Sequence, residues 1–186
     1  MTAVEWLQRW ENDLVRADHA DLSLLLQLAF PWTSAYFTGD RSWACTRPEF
    51  RVIARVAGQA VGHAGILRRF VRVDGVDQLV GEVGLLAIHP DWAQSDLARQ
   101  LAVRVSGALI ELRVPFGYFT CNADTAAAYN GVGWTALPPE TTIRTPTVHS
   151  PFQALMIGSV SMVLAATADI SRWPAGKVID RHGFET

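Results

Sequence analysis

Residues 81–101 read GEVGLLAIHPDWAQSDLARQL: a strand, a proline-marked loop and the start of a helix. The run 83–88 is apolar enough for a buried strand, and Pro90 ends it because proline has no N–H to give a ladder. From Leu97 onward, apolar residues recur at Leu97, Leu101, Val105, Ala108, Leu109 and Leu112, which is one face of a helix. A loop that delivers unpaired amides to a helix N-terminus is a ready cradle for an anion. Glu82 stands on the strand just before that loop, so a candidate proton acceptor adjoins a candidate phosphate site.

The rest of the chain builds outward from this unit. Residues 3–12 read as a first strand and 18–30 as a helix with Leu22, Leu25, Leu26 and Ala29 on its face, closed by Pro31. The aromatic-rich stretch 31–49 reads as a loop or short helix. Strands over 50–57 and 60–73 are joined at Gly58–Gln59, and Asp74–Gly75 is a type I′ turn signal into a strand over 76–88. After the crossover helix 97–112 come a strand at 116–121, a short helix at 125–130, two further strands within 135–165, and a polar, irregular tail from 169. The order β–α–β–β–β–α–β–α–β–β specifies an α+β fold: a mixed, mostly antiparallel sheet with helices on both faces, in a single domain spanning 1–186.

Composition narrows the function. A net charge of −2, with arginines scattered and Arg68–Arg69 the densest pair, offers no footprint for nucleic acid. The N-terminus MTAVEWLQRWEND lacks the apolar core of a signal peptide. The longest apolar stretch, 154–168, is shorter than the roughly 20 residues a membrane span needs. A soluble, cytoplasmic protein without a span is expected. Cys45 and Cys121 form no metal or redox motif, and His19, His63, His89, His149 and His182 lack ligand spacing, so no metal site is expected. His63, between Gly62 and Ala64, reads as a satisfied sheet histidine. Ser42, Ser95 and Ser106 lack the strained elbow of a serine nucleophile, so no covalent acyl-enzyme is expected.

The element order and its motifs resemble the GNAT superfamily of acyltransferases. The superfamily's donor loop, between a central strand and the next helix, corresponds to Pro90-Asp91-Trp92-Ala93-Gln94-Ser95-Asp96-Leu97-Ala98. Pro90, Leu97 and Ala98 fit its pattern, whereas Ala93, Gln94 and Asp96 depart from it. The second signature is intact as Tyr129-Asn130-Gly131-Val132-Gly133-Trp134, and Asn122 fits at the end of the preceding strand. Within the superfamily the chain is most similar to the nodulation N-acyltransferases, which acylate the free amine of a chito-oligosaccharide. Shared stretches include Glu11-Asn12-Asp13-Leu14, Arg41-Ser42-Trp43-Ala44, Leu67-Arg68-Arg69-Phe70 and Glu82-Val83-Gly84-Leu85, within about residues 5–120. The tail Arg172-Trp173-Pro174-Ala175-Gly176-Lys177-Val178 more resembles that of aminoglycoside 2′-N-acetyltransferases.

The resemblance implies an N-acyltransferase that moves an acyl group from a pantetheine thioester to a primary amine, that of an amino sugar or an aminoglycoside-like acceptor. The donor is a cosubstrate, either acetyl-CoA or acyl-CoA or an acyl carrier protein, and no cofactor is held permanently. An ammonium with a pKa near 10 is not nucleophilic at neutral pH, so a base is useful, and Glu82 stands where several GNAT enzymes keep one. The other reading of Glu82 is an ion pair with Arg68, Arg69 or Arg72 on the adjacent strand. Main-chain amides around Ala87 and Ile88 would stabilise the developing oxyanion. Tyr129 is the candidate acid for the departing sulfur, or else an aromatic packed against the sheet with its hydroxyl tied to a backbone group. Ala93, Gln94, Ser95, Asp96, Leu97, Ala98 and Asn122 are the remaining donor contacts. Trp32, Tyr36, Asp40 and Trp43 either bind the acceptor or form a hydrophobic lid. Asp96 brings a Cβ and a charge where a glycine would let backbone approach a pyrophosphate, and Asp96 or Ser95 can itself cap the helix. A homodimer stays open. The contrasting reading is a non-catalytic GNAT-fold module, for binding or sensing, whose donor loop has degenerated.

Overall fold

The structure is a computed structural model describing residues 3–147, 150–156, 159–181 and 183. The strands are β1 (Glu5–Trp10), β2 (Phe50–Val56), β3 (Gln59–Val73), β4 (Val76–Ile88), β5 (Phe116–Cys121), β6 (Trp134–Ala136), β7 (Thr142–Thr147), β8 (Ser150–Met156), β9 (Val160–Ala165) and β10 (Val178–Asp180). The helices are α1 (Arg16–Ala29), α2 (Leu97–Glu111) and α3 (Ala123–Asn130), with short 3₁₀ turns at Glu11–Asp13, Pro31–Phe37, Pro90–Trp92 and Ile170–Arg172. Among the described residues, β4–β5 and β10–β7 pair parallel, whereas β1–β2, β2–β3, β3–β10, β5–β9, β6–β9 and β7–β8 pair antiparallel. The α+β class with mixed, mostly antiparallel pairing is the one expected.

The described residues divide into two compact units, the first comprising 3–67 and 83–105, the second 68–82 and the described residues from 106 onward. Their boundaries fall inside β3, β4 and α2, each of which runs unbroken from one unit into the other.

In the first unit the strands run in the order β1–β2–β3–β4. Both central residues of the β2–β3 turn, Ala57 and Gly58, have positive φ (49° and 83°), as a type I′ turn requires. The sequence reading placed this turn one residue late, because an alanine does not announce the left-handed region. Leu22, Leu25 and Leu26 of α1 bury themselves against Phe37, Ile53, Leu85 and Ala87. Leu85 has φ +51° within the C-terminal part of β4. A left-handed non-glycine residue costs roughly 1–2 kcal/mol, so β4 kinks here only because its surroundings hold it there.

In the second unit the order is β6–β9–β5–β4–β3–β10–β7–β8. The β3–β4 turn is the expected Asp74–Gly75, at φ 42° and 90°. Val71, Val73, Val80, Phe116, Tyr118, Ile143, Val163 and Ile179 form its core. Gly117 is required. A Cβ there would lie 2.6 Å from Leu109 Cδ1 and 2.7 Å from the Trp134 ring, so only glycine lets α2 and Trp134 close on β5. Two expectations fail here. The stretch 135–165 holds parts of four strands instead of two, and the tail supplies β10, paired antiparallel to β3 and parallel to β7. A three-residue strand carries too little periodicity to be read, and two neighbours hold it in place.

Candidate active site

β4 and β5 pair only over Val80↔Phe116, Gly81↔Gly117 and Glu82↔Tyr118, although β4 continues to Ile88 and β5 to Cys121. Glu82 therefore sits on the last rung of that parallel ladder, 1% exposed. Its carboxylate lies between two guanidinium groups. Arg69 Nη1 donates to Oε2 at 2.8 Å, and Arg181 Nε is 3.1 Å from Oε1. Arg69 was one of three partners expected from sequence; Arg181 was not foreseen, and it arrives through β10. Arg181 is itself 1% exposed, donates to Thr120 Oγ1 at 2.7 Å, lies over the Tyr118 ring, and accepts at its carbonyl from Arg69 Nη2 at 2.6 Å. Burial pushes the Tyr118 phenol up to about 12 although Arg181 opposes the shift. A buried carboxylate with guanidinium partners is the arrangement that keeps such a charge tolerable.

Tyr129 lies in the last turn of α3, whose start is capped by Asn122 Oδ1 accepting from Thr125 N–H at 2.9 Å. The Tyr129 ring packs edge-on against Phe119 at 4.8 Å and Trp134 at 5.6 Å. The ring is thus packed, as the packing alternative expects, but no backbone group among the described residues holds its hydroxyl as that alternative requires. Its hydroxyl is buried and has no hydrogen-bond partner among the described residues. Burial raises its pKa well above the usual phenol value, with a smaller contribution from Cys121, so the group stays protonated. An unpaired buried hydroxyl costs about 1–3 kcal/mol, which a ligand acceptor would relieve. Cys121, half-buried, is held up to about 11 by burial and is no nucleophile at neutral pH.

The loop after β4 is ordered by its own polar groups. His89 Nδ1 accepts from Asp91 N–H at 3.2 Å, and His89 N–H donates to Val61 O of β3 at 2.8 Å. N–H groups alternate in direction along a strand, so the Ile88 amide is directed away from β3 and the Ala87 amide toward it. Of that expected pair, only Ile88 is aimed away from its neighbour. Leu97 is buried against Ala54 and Val61, while Ala93, Gln94, Ser95 and Asp96 are exposed. Ser95 Oγ accepts from Leu97 N–H at 3.2 Å and so supplies the cap. The Asp96 carboxylate instead takes Arg99 Nε at 2.8 Å, and that hydrogen bond first of all holds it below the usual carboxylate range. Its charge at the loop is partly balanced by Arg99.

The acceptor candidates divide. Trp32 is 97% exposed, an indole presented to solvent. Tyr36 packs against the α1 core, and Asp40 pairs with Arg16 at 2.7 Å on the surface. Trp43 is engaged within the first unit, edge-on to His19 at 6.0 Å and beneath Arg47 at 4.7 Å.

Behind Trp43 lies a polar network that sequence reasoning missed. Glu11, 7% exposed, receives Arg47 and the wholly buried Arg51. Burial would raise its pKa, but Arg51 and then Arg47 outweigh this and hold it below the usual carboxylate range. Arg51 Nη1 also lies 3.1 Å from His63 Nε2, whose Nδ1 lies 2.9 Å from Leu85 O. The expected satisfied sheet histidine is there. His19 Nδ1 meets Ser42 Oγ at 2.8 Å, but its Nε2 faces Arg47 and Ser42 is fully buried, so the pair is not an activated nucleophile. The forewarning was Arg51, one of two arginines in the otherwise apolar run FRVIARV.

Burial, reinforced by Arg51, lowers His63 from 6.5 to about 3, so the folded ring is neutral. Between those values the unfolded chain binds a proton that the folded chain refuses, so stability increases with pH at up to ~1.4 kcal/mol per pH unit. Urea midpoints measured between about pH 4 and 7 should show this slope, and His63→Gln should flatten it. Equal slopes in the two proteins would remove His63 as its source.

Among the described residues no three His, Cys, Asp or Glu side chains gather as a metal site; His149 and His182 lie outside those residues. Among the described residues no helix is long and apolar enough to cross a membrane. Cys45 and Cys121 are not disulfide-bonded.

The family model for Nodulation protein A (NodA) matches residues 1–186. The chain belongs to the nodulation protein A family. It is 37% identical to nodulation protein A of Bradyrhizobium sp. (strain ANU 289), over 99% of this chain and 92% of that one. With nodulation protein A of Rhizobium tropici it shares 33% identity, over 98% and 97%. The likeness continues through the C-terminal third, where the sequence reading saw it end near residue 120. Among solved structures, the Escherichia coli GNAT family N-acetyltransferase YhbS, in complex with CoA, matches with a TM-score of 0.60 at 18% identity, covering 97% of this chain and 91% of that one. Escherichia coli ElaA matches with a TM-score of 0.61 at 12% identity, covering 87% and 99%. These likenesses give the GNAT fold, and as a family member the chain is an enzyme, a GNAT-type N-acyltransferase.

Proposed function

We propose that the chain transfers an acyl group from a pantetheine thioester, borne by coenzyme A or by an acyl carrier protein, to the primary amine of an amino sugar or aminoglycoside-like acceptor. The observation that carries this reading is the Tyr129 hydroxyl in the intact second signature, buried, protonated and without a hydrogen-bond partner among the described residues. The thiolate leaving a thioester needs a hydrogen-bond or proton donor, and such a phenol supplies one. The Ile88 amide, aimed away from β3, takes the carbonyl oxygen as negative charge develops on it. Residues 93–98 and Asn122 receive the rest of the donor, with the Asp96–Arg99 pair removing much of the charge penalty at the loop. Glu82, on the last rung of the β4–β5 ladder, accepts the amine proton.

On the acceptor side, Trp32 offers the open aromatic face on which a sugar ring can stack. Asp40 receives the cationic amine by exchanging it for Arg16. Tyr36 and Trp43 support that surface from within the fold. The family membership supports an amino-sugar acceptor, and we read the chain as a single catalytic domain acting in the cytoplasm.

Tyr129→Phe tests the reading. With hexosamine oligomers, acetyl-CoA and longer acyl thioesters followed by mass spectrometry, turnover should fall by roughly 10²-fold. The melting temperature should hold or rise, because the variant removes only an unsatisfied hydroxyl. Unchanged turnover would return Tyr129 to packing alone.

A further inference from the structure

We infer that His63 is a positioning residue for acyl transfer: its Nδ1–H holds the carbonyl of Leu85 and so fixes the kink that aims the far end of β4. The inference rests on the proposal above that the Ile88 amide receives the thioester oxygen.

Arginine is solely a donor, so Arg51 Nη1, 3.1 Å from His63 Nε2, makes that nitrogen the acceptor. The proton is therefore on Nδ1 and points at Leu85 O, 2.9 Å away. The tautomer is not free to change, because Arg51 is itself held by both oxygens of Glu11 and by Ser42 O, to which it donates at 3.0 Å. Glu11 is anchored in turn by its own N–H to Glu49 O at 2.8 Å. A chain of buried polar groups from four segments thus ends on the carbonyl of the left-handed residue in β4. Register explains why the groups meet. His63 lies opposite Ile53 and Arg51 opposite Gly65, so the arginine and the ring are diagonal neighbours on one face of the β2–β3 pair. Three residues beyond Leu85 stands Ile88, and a small rotation at the kink redirects its amide. A hydrogen-bond donor placed for charge that develops only in the transition state loses its value when misaimed, and binding of the rest of the donor is untouched.

The test compares wild type, His63→Leu and His63→Gln at a temperature where circular dichroism shows all three folded. Acetyl-CoA is the donor, a glucosamine trimer the acceptor, and CoA affinity is measured by calorimetry. We expect His63→Leu to lower kcat by about 10–100-fold with the CoA Kd changed less than about threefold. His63→Gln, which keeps one donor and one acceptor, should recover most of kcat. Should His63→Leu not fold, the pair Glu11→Gln with Arg51→Met frees the tautomer without stranding a charge and should show the same split. A wild-type kcat in these variants, with lower melting temperature only, overturns the inference and leaves the acyl-transfer reading standing. A wild-type protein that acylates no amine from acetyl-CoA or an acyl carrier thioester overturns that reading and this inference with it.

Discussion

Glu82→Gln should lower turnover at neutral pH by roughly 10²–10⁴-fold, as loss of a general base does, with a smaller effect on donor affinity. The rate should recover as pH approaches the amine's own pKa, near 10, where the nucleophile loses its proton unaided. The same substitution has a second consequence, because it leaves Arg69 and the buried Arg181 beside a neutral amide. Removing one partner of a buried ion pair costs on the order of 3–5 kcal/mol, so the melting temperature should fall as well. The two effects separate in the alkaline limb, since a purely structural carboxylate offers no reason for activity to return at high pH. Rates per folded molecule equal to wild type at neutral pH would make Glu82 an ion-pair residue only.

Arg51→Met should destabilise the protein by about 3–5 kcal/mol in urea unfolding, with little change in the slope. The loss does not come chiefly from the arginine's own contacts. Glu11 stays buried with only the half-exposed Arg47 to balance it, and His63 Nε2 loses its donor. Adding Glu11→Gln should restore a large part of the loss, because replacing both partners removes the stranded charge. If the single variant loses less than about 1 kcal/mol, the network is not carrying a buried charge and the account of Glu11 is wrong.

What could be read in the chain beforehand follows from the range of the forces involved. β5 and α2 were placed correctly because apolar periodicity is local, and Asp74–Gly75 because its turn chemistry is local. β10 and the division of 135–165 were missed, since three-residue strands exist by virtue of their neighbours. Glu82 and Tyr129 are singled out as candidates by their places on the central strand and in the second signature. The partner Arg181 was hidden in a stretch that looked like a polar tail, and nothing near it in sequence signals a buried guanidinium. The Glu11–Arg51 pair joins residues 40 apart, beyond any helical or strand period. Charges that bury each other across such distances leave no pattern in one sequence.

The placement of Arg181 also sets an order of events in folding. Its contact with Arg69 closes a loop of 112 residues, whereas the Asp74–Gly75 hairpin beside Glu82 closes within a few. Loop-closure entropy grows with the logarithm of length, and contacts of high sequence separation slow the search. The hairpin therefore forms first, with Glu82 in contact with water, and the strand that brings its second guanidinium docks late. The carboxylate loses its hydration only when its countercharge arrives. A chain halted before that step would hold most of its secondary structure and none of the desolvated chemistry, so acquisition of activity should lag behind recovery of ellipticity during refolding.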